Sequence, residues 1–155
     1  MLLSEHFALE EFTVSETAAR HGIDNTPTQG VIENLRILAQ NLENVRLLLD
    51  SRPIIITSGY RSPHLNAAVK GHMVSAHVQG LAADFICPGY GSPLEICRAI
   101  ERSQMTWDQL IHEFGAWAHF AIGGKWRRES LTICPGSTWQ KGIHSCAKSA
   151  DSSPA

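Results

Sequence analysis

Between residues 31 and 50 apolar side chains recur at three- and four-residue steps: Val31, Leu35, Leu38, Leu42, Val45 and Leu49. That spacing places all six on one face and predicts a long amphipathic helix that packs on a core. Beyond Pro53 the pattern changes. Ile54, Ile55, Ile56 and Thr57 make a β-branched run between a proline and Gly59, which reads as a buried strand. A second short strand is predicted over 82–86, and two more over 108–113 and 117–122. The three residues between the last two, Phe114, Gly115 and Ala116, are few enough to make them a hairpin. Residues 129–133 are predicted to add an edge strand.

Capping residues supply the remaining helices. Thr13 and Glu16 fit a capping box that opens a short helix through Arg20, stopped at Gly22. Ser62 followed by Pro63 starts another, running through Asn66, Ala67 and Ala68. Ser92, Pro93 and Glu95 combine a capping box with proline at the first helical position, predicting a helix to about Arg102. From Pro135 the composition turns to Gly, Ser, Lys and His, which predicts a poorly ordered tail over 135–155 after one domain over 1–134. Helices come first, then strands with one interposed helix. That order predicts an α+β domain with a small antiparallel sheet.

Composition narrows the function. The 155 residues are 43% hydrophobic, enough for one compact core. Charged residues make up 18% and the formal net charge is −2, so the basic stripe that nucleic acid demands is missing. The residues Met1, Leu2, Leu3, Ser4, Glu5 and His6 lack the basic and apolar regions of a signal peptide, and no apolar run approaches a membrane span. These features lead us to expect synthesis in a cytoplasm. Cys87, Cys97, Cys134 and Cys146 form no C-x-x-C pair and are widely spaced; reduced thiols are expected. Eight histidines give a first hint of metal chemistry.

The chemistry concentrates in residues 75–84, which read S-A-H-V-Q-G-L-A-A-D. Histidine and aspartate both ligate zinc, and a catalytic zinc site needs three protein ligands and one open position. Gly80 can turn the chain between His77 and Asp84 so that both face one point. His119 lies mid-strand, where alternation aims it at the same face as Trp117 and Ala121.

This stretch resembles the zinc D-Ala-D-Ala carboxypeptidase family, which includes phage L-alanyl-D-glutamate endopeptidases and bacterial D,D-dipeptidases. Its S-x-H-x-x-G-x-A-x-D hallmark is met by Ser75, His77, Gly80, Ala82 and Asp84. Its W-x-H strand is met by Trp117 and His119, and its S-G-Y-R-S turn by residues 58–62. The likeness extends from about Leu3 to Ile122 and looks closest to short, phage-type members.

The resemblance implies a hedgehog/DD-peptidase-like fold with helices packed on one side of the sheet, and Zn²⁺ bound by His77, Asp84 and His119. Arg61 is implied to bind substrate or the developing oxyanion, which suits a cation that keeps its charge. Ser75 is expected near the metal or the substrate. Many relatives carry an acid three residues before the last histidine; here that residue is Ala116. Glu113 is then the preferred general base, ahead of His112 and Asp108, and His112 should point to the opposite face of the strand. His64 and His72 flank the region, and Trp107, Trp117 and Trp126 are read as core or rim aromatics. The expected activity is hydrolysis of peptidoglycan stem peptides, by a D,D-carboxypeptidase or an endopeptidase, in phage or prophage lysis. The alternatives are a zinc-stabilised binding module and a virion-associated protein.

Overall fold

A computed structural model describes residues 1–146. Three helices lead: α1 (Leu9–Thr13), α2 (Glu16–His21) and α3 (Gln29–Leu48). Strand β1 (Ile55–Ser58) follows, then α4 (Pro63–Ala68), a single 3₁₀ turn (Ala76–Gln79) and β2 (Ala82–Ile86). Helix α5 (Pro93–Arg102) precedes β3 (Gln109–Glu113), β4 (Trp117–Ala121), β5 (Glu129–Ile133) and β6 (Gln140–Lys141). The strands form one sheet in the order β1-β2-β4-β3-β5-β6, antiparallel throughout except that β3 and β5 run parallel. The domain is α+β, as the element order predicts.

Period-two alternation divides the sheet into two faces. Ala83 and Phe85, Leu110, and Ala118 and Phe120 turn to one face and are fully buried. They pack against Leu35, Leu38 and Leu42 of α3 and Ile96 and Ile100 of α5 in a single core. The other face carries Asp84, His119, Glu113, Ile111 and Leu131, and it lines an open cleft.

Two helix caps, Ser62 and Ser92, are those the sequence signals, and Thr28 is a third that it does not. Thr28 accepts from the Val31 N–H, Ser62 from Leu65 and Ser92 from Glu95. The cap of α2 differs. Ser15 accepts from the Ala18 N–H, and Thr13 instead ends α1, an unpredicted helix where its hydroxyl donates to the Leu9 carbonyl. A five-residue helix is too short for periodicity to reveal.

Strand β1 is an edge strand with Ile55 half exposed, not the buried strand that its β-branched run suggests. Such a run cannot reveal whether a strand has neighbours on both sides. Strand β5 is the reverse case: predicted as an edge, it is flanked by β3 and β6.

Residues 135–146, part of the tail that composition predicts, include β6, which pairs with β5, and Ile143, which joins the core. Cys134 and Cys146 form a disulfide, against the expectation of reduced thiols; the return of the chain through β6 brings their Cα atoms to 5.3 Å. Cys87 and Cys97 are free and buried. The rest of the predicted tail, 147–155, lies outside the described residues. No helix among the described residues is long and apolar enough to cross a membrane.

Candidate active site

Two close backbone approaches shape the ligand segments. Gly59 follows β1 against α1, where a Cβ would lie 2.6 Å from the Phe12 carbonyl oxygen, so only glycine fits. The neighbouring Tyr60 N–H donates to that same carbonyl at 2.7 Å. Gly80 closes the 3₁₀ turn at φ 73°, and a Cβ there would meet Val31 Cγ1 at 2.9 Å. The turn is thereby seated on α3 with His77 facing β2. Ser75 caps it by accepting from the His77 N–H at 3.2 Å.

Strand register supplies the other two side chains. Asp84 on β2 is paired directly with His119 on β4. His119 Nδ1 lies 2.9 Å from Asp84 Oδ1, and His77 Nε2 lies 3.3 Å from the same oxygen. All three residues are buried, and one donor atom from each falls within 4.8 Å of the others. The three predicted ligands therefore come together as a group that could hold a metal ion.

The hydrogen bonding fits a cation. His77 Nδ1 is 2.7 Å from the Gly59 carbonyl oxygen, which has no hydrogen to give, so Nδ1 is the donor. In the neutral ring Nε2 is then an acceptor, and it faces a carboxylate that is also an acceptor. Either a proton on the ring or a metal ion between them reconciles the two lone pairs, so the contact is compatible with a bound cation. A second hydrogen bond that fixes the tautomer of a ligating histidine is the usual support of a metal site. His119 Nε2 is buried without a hydrogen-bond partner among the described residues. Burial works to raise the Asp84 pKa, but the two imidazoles outweigh it and hold the carboxyl well below its ordinary range.

Glu113 ends β3 on the same face, with Oε1 3.8 Å from His119 Nδ1. Its pKa is pushed up to about 7, first by burial and then by the Asp84 carboxylate, against the opposing pull of His119 and Arg61. A carboxyl poised near neutrality beside a metal-ligand group suits proton transfer. The rivals for that role are engaged elsewhere. His112 is on the opposite face with Nδ1 2.8 Å from the His144 carbonyl oxygen, and Asp108 is bound by Arg127 at 2.9 Å.

Arg61 lines the cleft, and its Nε is buried with no hydrogen-bond partner among the described residues. Burial lowers its pKa, with Asp84 and Glu113 opposing. Its turn is held by Asn25, a loop residue that no motif marks. The Asn25 amide donates to the Thr13 and Tyr60 carbonyls, and its oxygen accepts from the Ser62 N–H at 2.7 Å. Of the flanking histidines, His72 lines the cleft. Trp117 lines it too, whereas Trp107 is buried beneath the Arg128 guanidinium, 3.9 Å from its ring, and Trp126 is partly exposed. The cleft encloses about 860 Å³.

Two imidazoles and a carboxylate gathered on the open face of an α+β sheet, with a second acid beside them, make a donor set that could hold a catalytic metal ion. Residues 5–121 match the family model described as Peptidase M15, and the chain belongs to that family of metallopeptidases. A search of curated proteins gave no match.

Proposed function

We propose that this protein is a zinc peptidase that hydrolyses peptide bonds in peptidoglycan stem peptides, with zinc held by His77, Asp84 and His119. The observation that carries the reading is the position of Glu113, 3.8 Å from His119 at the edge of a three-donor group. Zinc bound there supplies Lewis acidity, which activates water and polarises the scissile carbonyl.

The chain's own residues perform the rest. Glu113, ionised, takes a proton from the attacking water and passes it to the departing amine. The carboxyl is neutral after the first transfer and ionised again after the second, so the cycle closes without another group. Arg61 presents fixed positive charge to the substrate carboxylate or to the oxygen on which negative charge develops. Gly59 holds the His77 ring through Nδ1, and Ser75 holds the turn that carries it. The phage or prophage lysis role implied by likeness to short phage-type enzymes rests on this same activity.

The test is metal analysis of the purified protein together with digestion of purified peptidoglycan and mass identification of the fragments. Stoichiometric zinc and released stem-peptide fragments are expected. Zinc without any released fragment would instead indicate a metal-stabilised binding module.

A further inference from the structure

The cleft is longer than one scissile bond requires. Across its floor runs a row of paired residues: Asp84 opposite His119, His119 opposite Ile111, and Ile111 opposite Leu131. All four line the cleft. The donor group occupies the β2–β4 end of the row, and from there the floor continues over Ile111 of β3 and Leu131 of β5, with Gln109 and Glu113 also lining the cleft. Beyond it stands Trp139, the residue preceding β6, which also lines the cleft and is 53% exposed. Neighbouring strands lie ~4.8 Å apart, so the three steps from β4 to β6 span roughly 14 Å, the reach of about four extended residues.

The segment carrying Trp139 is tied at several points. The Cys134–Cys146 disulfide closes it. The Thr132 hydroxyl donates to the Gly142 carbonyl at 2.7 Å and accepts from the His144 N–H at 2.9 Å. Ile143 anchors it in the core. An indole on a tied segment, about half exposed at the far end of the cleft, gains contact when a ligand covers it. A cleft of about 860 Å³ lies toward the upper end of the range that encloses a drug-sized ligand, so it has room for several residues.

We propose that Trp139 forms a distal subsite for the same substrate, packing against a segment of the wall peptide about four residues from the scissile bond. The protein is then built for extended wall peptides rather than for a free dipeptide. This rests on the reading of the site as a peptidase.

The test uses two synthetic stem peptides with the same scissile bond. One has two residues on each side, and the other is extended by three or more at whichever end cleavage tolerates. With the wild-type zinc enzyme, the longer peptide is expected to show the higher kcat/KM. Trp139→Ala should lower kcat/KM for it by about tenfold, mainly through KM, and leave the shorter peptide within twofold; Trp139→Phe should restore most of the loss. Equal effects on the two peptides, or none on either, overturn the subsite. If the wild type cuts neither peptide, the peptidase reading fails on its own. The subsite is then decided by calorimetric binding of the longer peptide, and equal affinity for wild type and Trp139→Ala overturns it.

Discussion

Glu113 and His119 stand six positions apart in the chain, yet the Glu113 Oε1 lies 3.8 Å from the His119 Nδ1. The hairpin causes this. Phe114 and Gly115 both take positive φ, at 58° and 68°, and the tight turn sets Glu113 opposite Trp117 and Ile111 opposite His119. Glu113 is thus a diagonal neighbour of His119 on the same face, within reach of a long side chain.

If Glu113 moves the proton, removing its carboxylate should separate catalysis from metal binding. Glu113→Gln is expected to lower kcat by about 10²–10⁴-fold while zinc content stays at the wild-type level. Activity assays paired with metal analysis check this. Loss of zinc along with activity would make Glu113 a ligand rather than a base.

The same residue should destabilise the metal-free fold at neutral pH. Its pKa rises from 4.5 to about 7 on folding, so between those values the folded state binds more protons than the unfolded one. Stability from this group therefore falls as pH rises through that window and stays low above it. Metal-free Glu113→Gln should be more stable than metal-free wild type at pH 8, by on the order of 2–3 kcal/mol, with the gap closing towards pH 4.5. Urea unfolding at a series of pH values measures it. Asp84, whose pKa is depressed, contributes stability that is lost only as pH falls below the ordinary carboxylate value, so the two effects do not overlap.

Zinc should stabilise the folded chain by mass action, by about 4 kcal/mol at a thousandfold excess over Kd. Asp84→Asn removes the charge facing both imidazoles and should abolish the rise in Tm on adding zinc. Thermal melts with zinc and with chelator make the comparison. An undiminished zinc-dependent rise in the variant would show that the ion sits elsewhere.

Gly59 couples chain packing to the orientation of His77. An added Cβ would lie 2.6 Å from the Phe12 carbonyl oxygen, so Gly59→Ala must push β1 and α1 apart. A loss of about 1–3 kcal/mol is expected, as for overpacked cores. Because the Gly59 carbonyl orients His77, zinc affinity should weaken as well, by about 10–100-fold. Denaturant melts of the metal-free protein and a zinc titration read the two effects separately.

The Cys134–Cys146 bridge closes a loop of sequence separation 12. Replacing both cysteines by serine should cost about 2–3 kcal/mol, since the unfolded chain regains the freedom the bridge removes. Urea melts under non-reducing conditions test this. Adding reductant should bring the wild type close to the double variant.

The sequence by itself determined the helical face of α3, the Ser62 and Ser92 caps, the β3–β4 hairpin, the metal-ligand candidates and the preference for Glu113. Each is written locally, in a period of 3.6 or 2, in a capping hydroxyl or in short fixed spacings. Strand neighbours are different, because pairing is made between distant segments and leaves no local trace. Only the tertiary structure could therefore expose β1 as an edge, insert β5 beside β3, and return the chain through β6 to join Cys134 to Cys146. The close contact of His77 with Asp84 also belongs to the assembled protein. It depends on a carbonyl from Gly59 that becomes a hydrogen-bond partner only when β1 lies against the 3₁₀ turn.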